Sequence, residues 1–289
     1  MPITQKQRKN RVHHLGSSDI PAILGFSRFA SAADVWLQKT GRIPIEDEET
    51  VEDWQEAGNY IEGSVLDWAQ KKGFIQNIER DPEITVPDIP IVVHIDAVER
   101  ETGNPVEVKT EGLFGPVWSP WGEAGTDEIP EYTCIQAQTH MLATERGVCH
   151  IPTFLGGRGF GYYYCERDEG LIEIIRKSAL KFWEEYVVKD TPPPDSVPSL
   201  ELAKKIRHVE GDPKPLADEL VEQWLEAKEA AKNADQQKRA MQAKILAALD
   251  GVQEGTCSQG LITNFEQHRK ETIQRASTFR VMRLKKVKA

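Results

Sequence analysis

Three charged residues lie within two short apolar segments that have the composition of β-strands. Asp96 sits in "VVHIDAV", Glu107 and Lys109 sit in "PVEVKT", and the turn-forming "ERETGNP" separates the two. Side chains alternate between the two faces of a strand, so Glu107 and Lys109 are predicted to share one face and the flanking valines the other. A suitable register would bring the Asp96 carboxylate beside that of Glu107.

This combination of residue types is suited to metal-assisted phosphate chemistry. Two carboxylates in one partly buried place repel each other and resist ionisation. A divalent cation reverses that cost, and hard oxygen ligands suit Mg²⁺, with Mn²⁺ as a substitute. Lys109 could orient or deprotonate a water, or stabilise charge that develops on a phosphate, and Glu62 could add a third carboxylate. The same short pattern is also common on solvated strands, where Glu107 and Lys109 would only face water.

Hydrophobic periodicity and turn signals predict the elements that would position these residues. A helix is expected at residues 17–24, where Ser18 could serve as N-cap, and others in "AADVWLQKTG" and "WQEAGNYIEGSVLDWAQKKG". "YTCIQAQTHMLAT" and "DEGLIEIIRKSALKFWEEYVV" read as further helices, and "CHIPTFLGG" with "GFGYYYCER" as a strand pair. This order predicts an α/β core with a mixed sheet flanked by helices.

The C-terminal part has a different pattern. We expect a core at residues 1–210 and an appendage at 211–289. Apolar residues recur there at spacings of three and four over roughly 30 residues, which predicts a long amphipathic helix with a coiled-coil-like seam, interrupted only by Lys238. The seam could pack on the rest of the chain or on a partner helix. A basic β-hairpin is expected after it, in "GLITNFEQHRKETIQRASTFRVMRLKK". The seam residues are Leu220, Trp224, Ala227, Ala231, Ala234, Met241, Ile245 and Ala248.

The composition is that of a globular protein and predicts no membrane span. The chain has 289 residues, and its 28% charged and 39% hydrophobic residues are ordinary for a globular protein. It lacks an apolar run of about 18 residues, so no membrane span is predicted. Four scattered cysteines without metal-site spacing indicate reduced thiols of a cytoplasmic protein. The net charge of −10 argues weakly against nucleic acid, but the basic tail "HRKETIQRASTFRVMRLKKVKA" shows that this average hides local charge.

Several segments, taken in order, resemble one family. "GSSDIPAILGFSRFASAADVWLQKTG" is similar to the N-terminal signature of the YqaJ-like viral recombinases and phage-type exonucleases. "GNYIEGSVLDWA" resembles their glutamate helix, "HIDAV" with "VEVKT" their catalytic strand pair, and "PEYTCIQAQTHMLAT" their Gln-x-Gln helix. These are the bacteriophage lambda exonuclease group of the PD-(D/E)xK nucleases, so the resemblance, over roughly residues 8–195, implies a restriction-endonuclease-like core. Ile95 stands where the family often has proline.

The resemblance implies a role for each residue of the strand pair. Asp96 and Glu107 would be metal ligands for Mg²⁺, with the backbone carbonyl of Val108 as a third. Lys109 would orient the attacking water. Glu62 would be a further ligand to the metal or to water.

The resemblance also assigns residues outside the strands. Gln136 would help to position the site from its helix, although it could equally be a buried packing amide. Arg11 and Ser18 match the pair that holds the 5′ phosphate of a DNA end, although Arg11 could be a surface arginine and Ser18 only an N-cap. Trp118 and Trp121, in the loop after the catalytic strand, could stack on bases or simply pack the loop.

The implied function is a Mg²⁺-dependent exonuclease. It would digest linear double-stranded DNA 5′ to 3′ and leave a 3′ overhang for a single-strand annealing protein during phage recombination in the host cytoplasm. A homo-oligomer, a trimeric ring by resemblance, would surround the DNA. One alternative is an endonuclease or structure-specific nuclease, which nicking of closed circular DNA would favour. Another is a DNA-end binding module with vestigial catalysis, against which the intact Asp96, Glu107 and Lys109 speak.

Overall fold

The computed structural model describes residues 12–44, 53–113, 115–207 and 213–266. The chain separates into two compact units, residues 1–208 and 209–289. The first unit holds the polar residues of the predicted site and the second holds the predicted long helix. Within the described ranges, no helix has both the length and the apolar character that crossing a membrane requires.

The first unit begins with three helices, α1 (Asp19–Ile23), α2 (Ala32–Lys39) and α3 (Asp53–Lys72). α2 starts on a capping box, because the Ser31 hydroxyl accepts from the Asp34 amide at 3.1 Å and the Asp34 carboxylate accepts from the Ser31 amide at 2.9 Å. α3 ends at Gly73, whose φ of +77° suits a residue without a Cβ. α1 has five residues, fewer than predicted, because the chain turns away at Gly25, where φ is +81°.

A central mixed sheet follows. β4 pairs antiparallel with β1 on one side and with β5 on the other. β5 and β6 both pair parallel with one edge of β7, and β8 pairs antiparallel with the opposite edge of β7. A separate antiparallel pair, β2 and β3, precedes β4. The strands are β1 (Ile78–Arg80), β2 (Glu83–Thr85), β3 (Val92–His94), β4 (Ala97–Glu99), β5 (Pro105–Val106), β6 (Lys109–Glu111), β7 (Val148–Leu155) and β8 (Gly159–Glu166).

Helices cover both faces of this sheet, which confirms the predicted α/β architecture. On one face, Val65 and Leu66 of α3 share a buried cluster with Val106 of β5. On the other face, Met141 of α4 (Glu131–Thr144) shares a cluster with Ile151 of β7. Each such buried side chain contributes roughly 1.5–3 kcal/mol. α5 (Glu169–Phe182), a π-helical segment (Trp183–Val188) and α6 (Leu200–Lys204) complete the unit.

The second unit consists of α7 (Asp218–Leu249) and the antiparallel hairpin of β9 (Glu254–Cys257) and β10 (Gly260–Thr263). α7 has 32 residues, close to the predicted length. The hairpin begins before the segment in which it was expected, and residues 254–263 contain no Lys or Arg. A C-terminal hairpin is thus present, as predicted, and the basic residues predicted for it follow residue 266 and lie outside the described residues.

Candidate active site

Asp96 lies at a bend between β3 and β4. Its Oδ2 accepts a hydrogen bond from the backbone amide of Val108 at 2.7 Å, which ties the bend to the next strand segment. Burial raises the pKa of Asp96 well above its usual range, and the charges of Glu107 and Glu62 raise it further. The Val108 amide and Lys109 act in the opposite direction. Asp96 therefore resists ionisation first because it is removed from water and second because of the two other carboxylates.

The strand that carries Glu107 and Lys109 is interrupted between them. Ladder pairing with β7 ends at Val106 and resumes at Lys109, while the Glu107 amide donates to the His150 carbonyl at 2.9 Å. The break leaves the Val108 amide available to the carboxylate at the bend. Val106 and Val108 both join the cluster beneath α3, so Glu107 and Lys109 point to the face that α4 covers, as strand alternation predicts.

Lys109 joins the strand to α4. Its Nζ donates to Glu107 Oε1 at 2.5 Å and to Gln136 Oε1 at 2.8 Å. Burial opposes both charges of the ion pair, but their mutual attraction outweighs burial, lowering the pKa of Glu107 and raising the pKa of Lys109. Lys109 is thereby held protonated, so it can orient water or balance negative charge.

His140 was not singled out from the sequence, yet it borders the same carboxylate. Its Nδ1 lies 3.4 Å from Glu107 Oε2, and its ring is fully buried without a hydrogen-bond partner among the described residues. Burial lowers the pKa of His140, Lys109 lowers it further, and Glu107 opposes them. A neutral imidazole therefore faces Glu107. The signal for it was the four-residue spacing from Gln136, which places both on one face of α4.

Gln136 and Gln138 of α4 have different hydrogen-bond partners. Gln136 accepts a hydrogen bond from Lys109. Gln138 is 1% exposed and its partners lie elsewhere. Gln138 Nε2 donates to the Glu166 carbonyl at 2.6 Å, and its Oε1 accepts from the Asp168 amide at 3.0 Å. Gln138 therefore fastens α4 to the connection between β8 and α5.

Glu111 continues the polar face of this strand and holds the loop that follows. Its carboxylate accepts from the backbone amides of Trp118 at 2.8 Å and Ser119 at 3.0 Å. It also accepts from the indole of Trp121 at 3.1 Å and from Arg28 at 2.8 Å. Although burial opposes ionisation, these donors lower the pKa of Glu111 to about 2. Trp121 is buried, whereas Trp118 is 75% exposed, so Trp121 packs the loop and Trp118 alone presents its ring to solvent.

The remaining predicted residues lie at the margin or outside the described ranges. Glu62 is partly buried on α3, and its charge contributes to the raised pKa at the bend. Ser18 is exposed at the start of α1, and its side chain makes no capping hydrogen bond to that helix. Next to it, Asp19 forms a buried ion pair with Lys39 at 2.7 Å. Arg11 lies outside the described residues.

The donors of the site fit a hard divalent cation. Asp96 and Glu107 supply carboxylate oxygens, which Mg²⁺ and Mn²⁺ prefer, and a cation would offset the repulsion that raises the pKa of Asp96. In the part of the chain that the structure describes, no three His, Cys, Asp or Glu side chains already converge as a metal-binding group. Asp96, Glu107, Glu62 and the Val108 carbonyl therefore all stay predictions as metal ligands.

Comparison with known proteins links the chain to one family. Residues 6–147 match the model of the YqaJ-like viral recombinase domain. The chain is 26% identical over 250 residues to the uncharacterized protein YqaJ of Bacillus subtilis (strain 168), which covers 80% of this chain and 73% of that protein.

Two solved structures are also similar. One is the alkaline exonuclease LHK-Exo from Laribacter hongkongensis, with 15% identity, a TM-score of 0.49, and coverage of 64% of this chain and 94% of that chain. The other is a phage related exonuclease from Haemophilus somnus 129PT, with 15% identity, a TM-score of 0.42, and coverage of 63% and 100%. Likenesses of this size assign neither a reaction nor a substrate.

Proposed function

We propose, on the premise that residues 6–147 of this chain form a YqaJ-like viral recombinase domain, that the chain is a metal-dependent deoxyribonuclease acting at DNA ends. One observation carries the proposal. Asp96 and the Glu107–Lys109 pair come from separate strand segments, yet they meet in one partly buried place. Clustering carboxylates there is unfavourable for the fold alone, and it is suited to binding a cation and a phosphate.

The chain's own residues would divide the work of phosphodiester hydrolysis. When bound, the cation supplies positive charge at the scissile phosphate and promotes loss of a proton from water. Lys109, held protonated between Glu107 and Gln136, donates hydrogen bonds to the attacking water or to a phosphate oxygen. The water oxygen would form a bond to phosphorus while its proton passes to solvent. The bond from phosphorus to the leaving sugar oxygen would break, and that oxygen would take a proton from solvent. The proposed ligands of Mg²⁺, or of Mn²⁺ in its place, are Asp96, Glu107, Glu62 and the carbonyl of Val108.

The proposed substrate is the end of linear double-stranded DNA. Digestion would run 5′ to 3′ and leave a 3′ overhang, which a single-strand annealing protein would receive during phage recombination in the bacterial cytoplasm. Arg11 and Ser18 would bind the terminal 5′ phosphate, which carries more negative charge than an internal phosphodiester. Because α1 is so short, recognition would rest on these side chains more than on a helix dipole. The exposed ring of Trp118 is suited to stacking on a base. A trimeric ring of chains around the duplex stays the proposed assembly.

Digestion of end-labelled linear duplex tests the proposal. With Mg²⁺, the 5′ label should be released early as short products, while the 3′ label stays on a strand that is no longer paired. Without Mg²⁺, neither label should be released. Covalently closed circular DNA, the control, should stay intact.

Each other outcome has a distinct meaning. Early release of the 3′ label would contradict the polarity. Nicking of closed circles would replace the exonuclease with an endonuclease or structure-specific nuclease on the same core. Binding of DNA ends without cleavage, in Mg²⁺ or in Mn²⁺, would overturn the proposed nuclease activity. The chain would then be an end-binding module.

A further inference from the structure

Two cysteines that are distant in the sequence face each other where α4 packs against β8. Cys134 lies in the first turn of α4 and Cys165 near the end of β8, and their Sγ atoms are 3.7 Å apart. Both are free thiols. A disulfide bond needs a separation of about 2.05 Å, so the two sulfurs would have to approach by roughly 1.7 Å. Rotation of the two side chains can supply much of that approach, because the sulfurs are already in contact.

The surroundings of the two sulfurs differ. Cys134 is partly exposed at the edge of the buried cluster beneath α4, whereas Cys165 is 5% exposed and belongs to that cluster. The hydrogen bond between the thiols lowers the pKa of Cys134, although burial opposes this, and the same hydrogen bond together with burial raises the pKa of Cys165. The thiolate is the reactive form of cysteine, so Cys134 is both the more accessible thiol and the first to ionise.

A third cysteine, Cys149, lies nearby but is shielded from solvent. It is opposite Cys165 in the register of β7 and β8, and it is fully buried. Its Sγ donates to the His150 carbonyl at 3.8 Å, and burial raises the pKa of Cys149. An oxidant that approaches from solvent therefore meets Cys134 before Cys149. The sulfur that lies next to Cys134 is that of Cys165.

We propose that Cys134 and Cys165 are a reversible redox site, which a low-molecular-weight disulfide such as oxidised glutathione converts to an intramolecular disulfide. The Cys134 thiolate attacks one glutathione sulfur, which releases one glutathione and leaves a mixed disulfide. Cys165 then attacks Cys134 Sγ and releases the second glutathione. Two electrons pass from the protein to glutathione, and the two protein thiol protons end on the two released glutathione thiols. A reducing environment reverses both steps. None of this chemistry depends on the proposed nuclease activity.

The disulfide would attach α4 to β8 at a place where the two elements are already in contact. Gln138 Nε2 of α4 lies 3.4 Å from Cys165 Sγ. The bond would close a loop of the chain that contains β7, and such a loop restricts the unfolded state. Gln136, which accepts from Lys109, follows Cys134 by two residues, so oxidation would also restrain the helix that carries this contact. We expect the oxidised form to unfold at a urea midpoint higher by on the order of 1 M.

Oxidation of the full-length chain followed by peptide mapping tests the proposal with the native thiols in place. The chain carries Cys257→Ser, because Cys257 is exposed. It is incubated folded with excess oxidised glutathione, alkylated and digested with trypsin, which leaves each remaining cysteine in a separate peptide. These peptides are residues 110–146, 147–158 and 159–167. Peptides 110–146 and 159–167 should be joined by a bond that dithiothreitol reverses. This product should be on the order of ten-fold more abundant than any joined to 147–158, because the paired thiols share a high effective concentration.

Two variants in the same background identify the order of attack. Cys134→Ala should form no disulfide, whereas Cys165→Ala should stop at the mixed disulfide, with peptide 110–146 heavier by one glutathione. The circular dichroism of both should match that of the parent. The proposal is overturned if both thiols stay open to alkylation in excess oxidised glutathione, or if the main bond joins Cys149. It is also overturned if the oxidised chain unfolds at the same urea midpoint as the reduced chain.

Discussion

Replacing Glu111 with glutamine should loosen the loop beside the candidate site without altering the site's own carboxylates. The Glu111 side chain is 10% exposed and accepts hydrogen bonds from two backbone amides, the indole of Trp121 and Arg28. Its pKa is lowered from 4.5 to about 2, which sets an upper limit of about 3 kcal/mol at about 1.4 kcal/mol per pKa unit. Because Arg28 is 40% exposed, solvent screening reduces the expected loss in the free energy of unfolding to about 1–2 kcal/mol.

The dependence on pH follows from the direction of the pKa shift. A carboxyl group whose pKa is lower in the folded state stabilises the fold fully above its unfolded pKa, here 4.5. That contribution is lost as the pH falls towards the folded pKa of about 2. The difference in the free energy of unfolding between wild type and Glu111→Gln should therefore be constant from about pH 7 to about pH 5 and shrink below that.

Urea unfolding followed by tryptophan fluorescence, at about pH 7 and about pH 3, measures this difference. Glu169→Gln is the matched control, because Glu169 also pairs with an arginine, Arg167, but is 75% exposed. The control should leave the unfolding midpoint nearly unchanged. The reasoning is refuted if Glu111→Gln destabilises no more than the control, or if its effect is the same at both pH values.

Three further predictions concern the proposed reaction. Lys109→Ala should reduce turnover far more than Mg²⁺ affinity, because an ammonium group cannot ligate a cation; calorimetry that shows Mg²⁺ binding lost while turnover persists would contradict this. Arg11→Ala should remove most of the preference for 5′-phosphorylated over 5′-hydroxyl duplex, on the order of ten- to a hundred-fold for a contact worth about 1.5–3 kcal/mol, and equal slowing on both substrates would exclude the role. Trp118→Ala should weaken binding of DNA ends, by about 1–3 kcal/mol if its ring stacks on a base, without changing the urea midpoint; unchanged affinity in fluorescence anisotropy would show that the ring does not contact DNA.

The strand residues of the site could be found from the sequence because they break a pattern. Asp96, Glu107 and Lys109 are charged residues inside β-branched runs, and strand alternation assigns Glu107 and Lys109 to one face. The interruption of the ladder at Val108 could not be predicted in the same way. The Val108 amide donates to the Asp96 carboxylate, which lies at a bend in a different strand segment.

Other features depend on contacts between distant parts of the chain. His140 meets Glu107 only because α4 packs across the sheet, and Glu111 acquires its role only when the loop returns to it. The hairpin was placed too late because β9, Glu254–Cys257, is polar and exposed on nearly every residue, so it offers no alternation to read. In contrast, α7 could be predicted from the sequence, because apolar residues spaced by three and four predict both its length and its apolar seam.

The central claim is that Asp96 belongs to a metal-dependent phosphodiesterase site, and the rate of DNA hydrolysis by Asp96→Asn at saturating Mg²⁺ tests it most directly. Asparagine keeps an oxygen that can accept from the Val108 amide, so the bend should hold, but it removes the negative charge that a cation needs. We expect cleavage to fall to background while the affinity for DNA ends, measured in parallel, is retained. Asp67→Asn, an exposed aspartate of α3 paired with Arg80, should cleave like wild type. Cleavage by Asp96→Asn at a rate close to that of Asp67→Asn would contradict the claim.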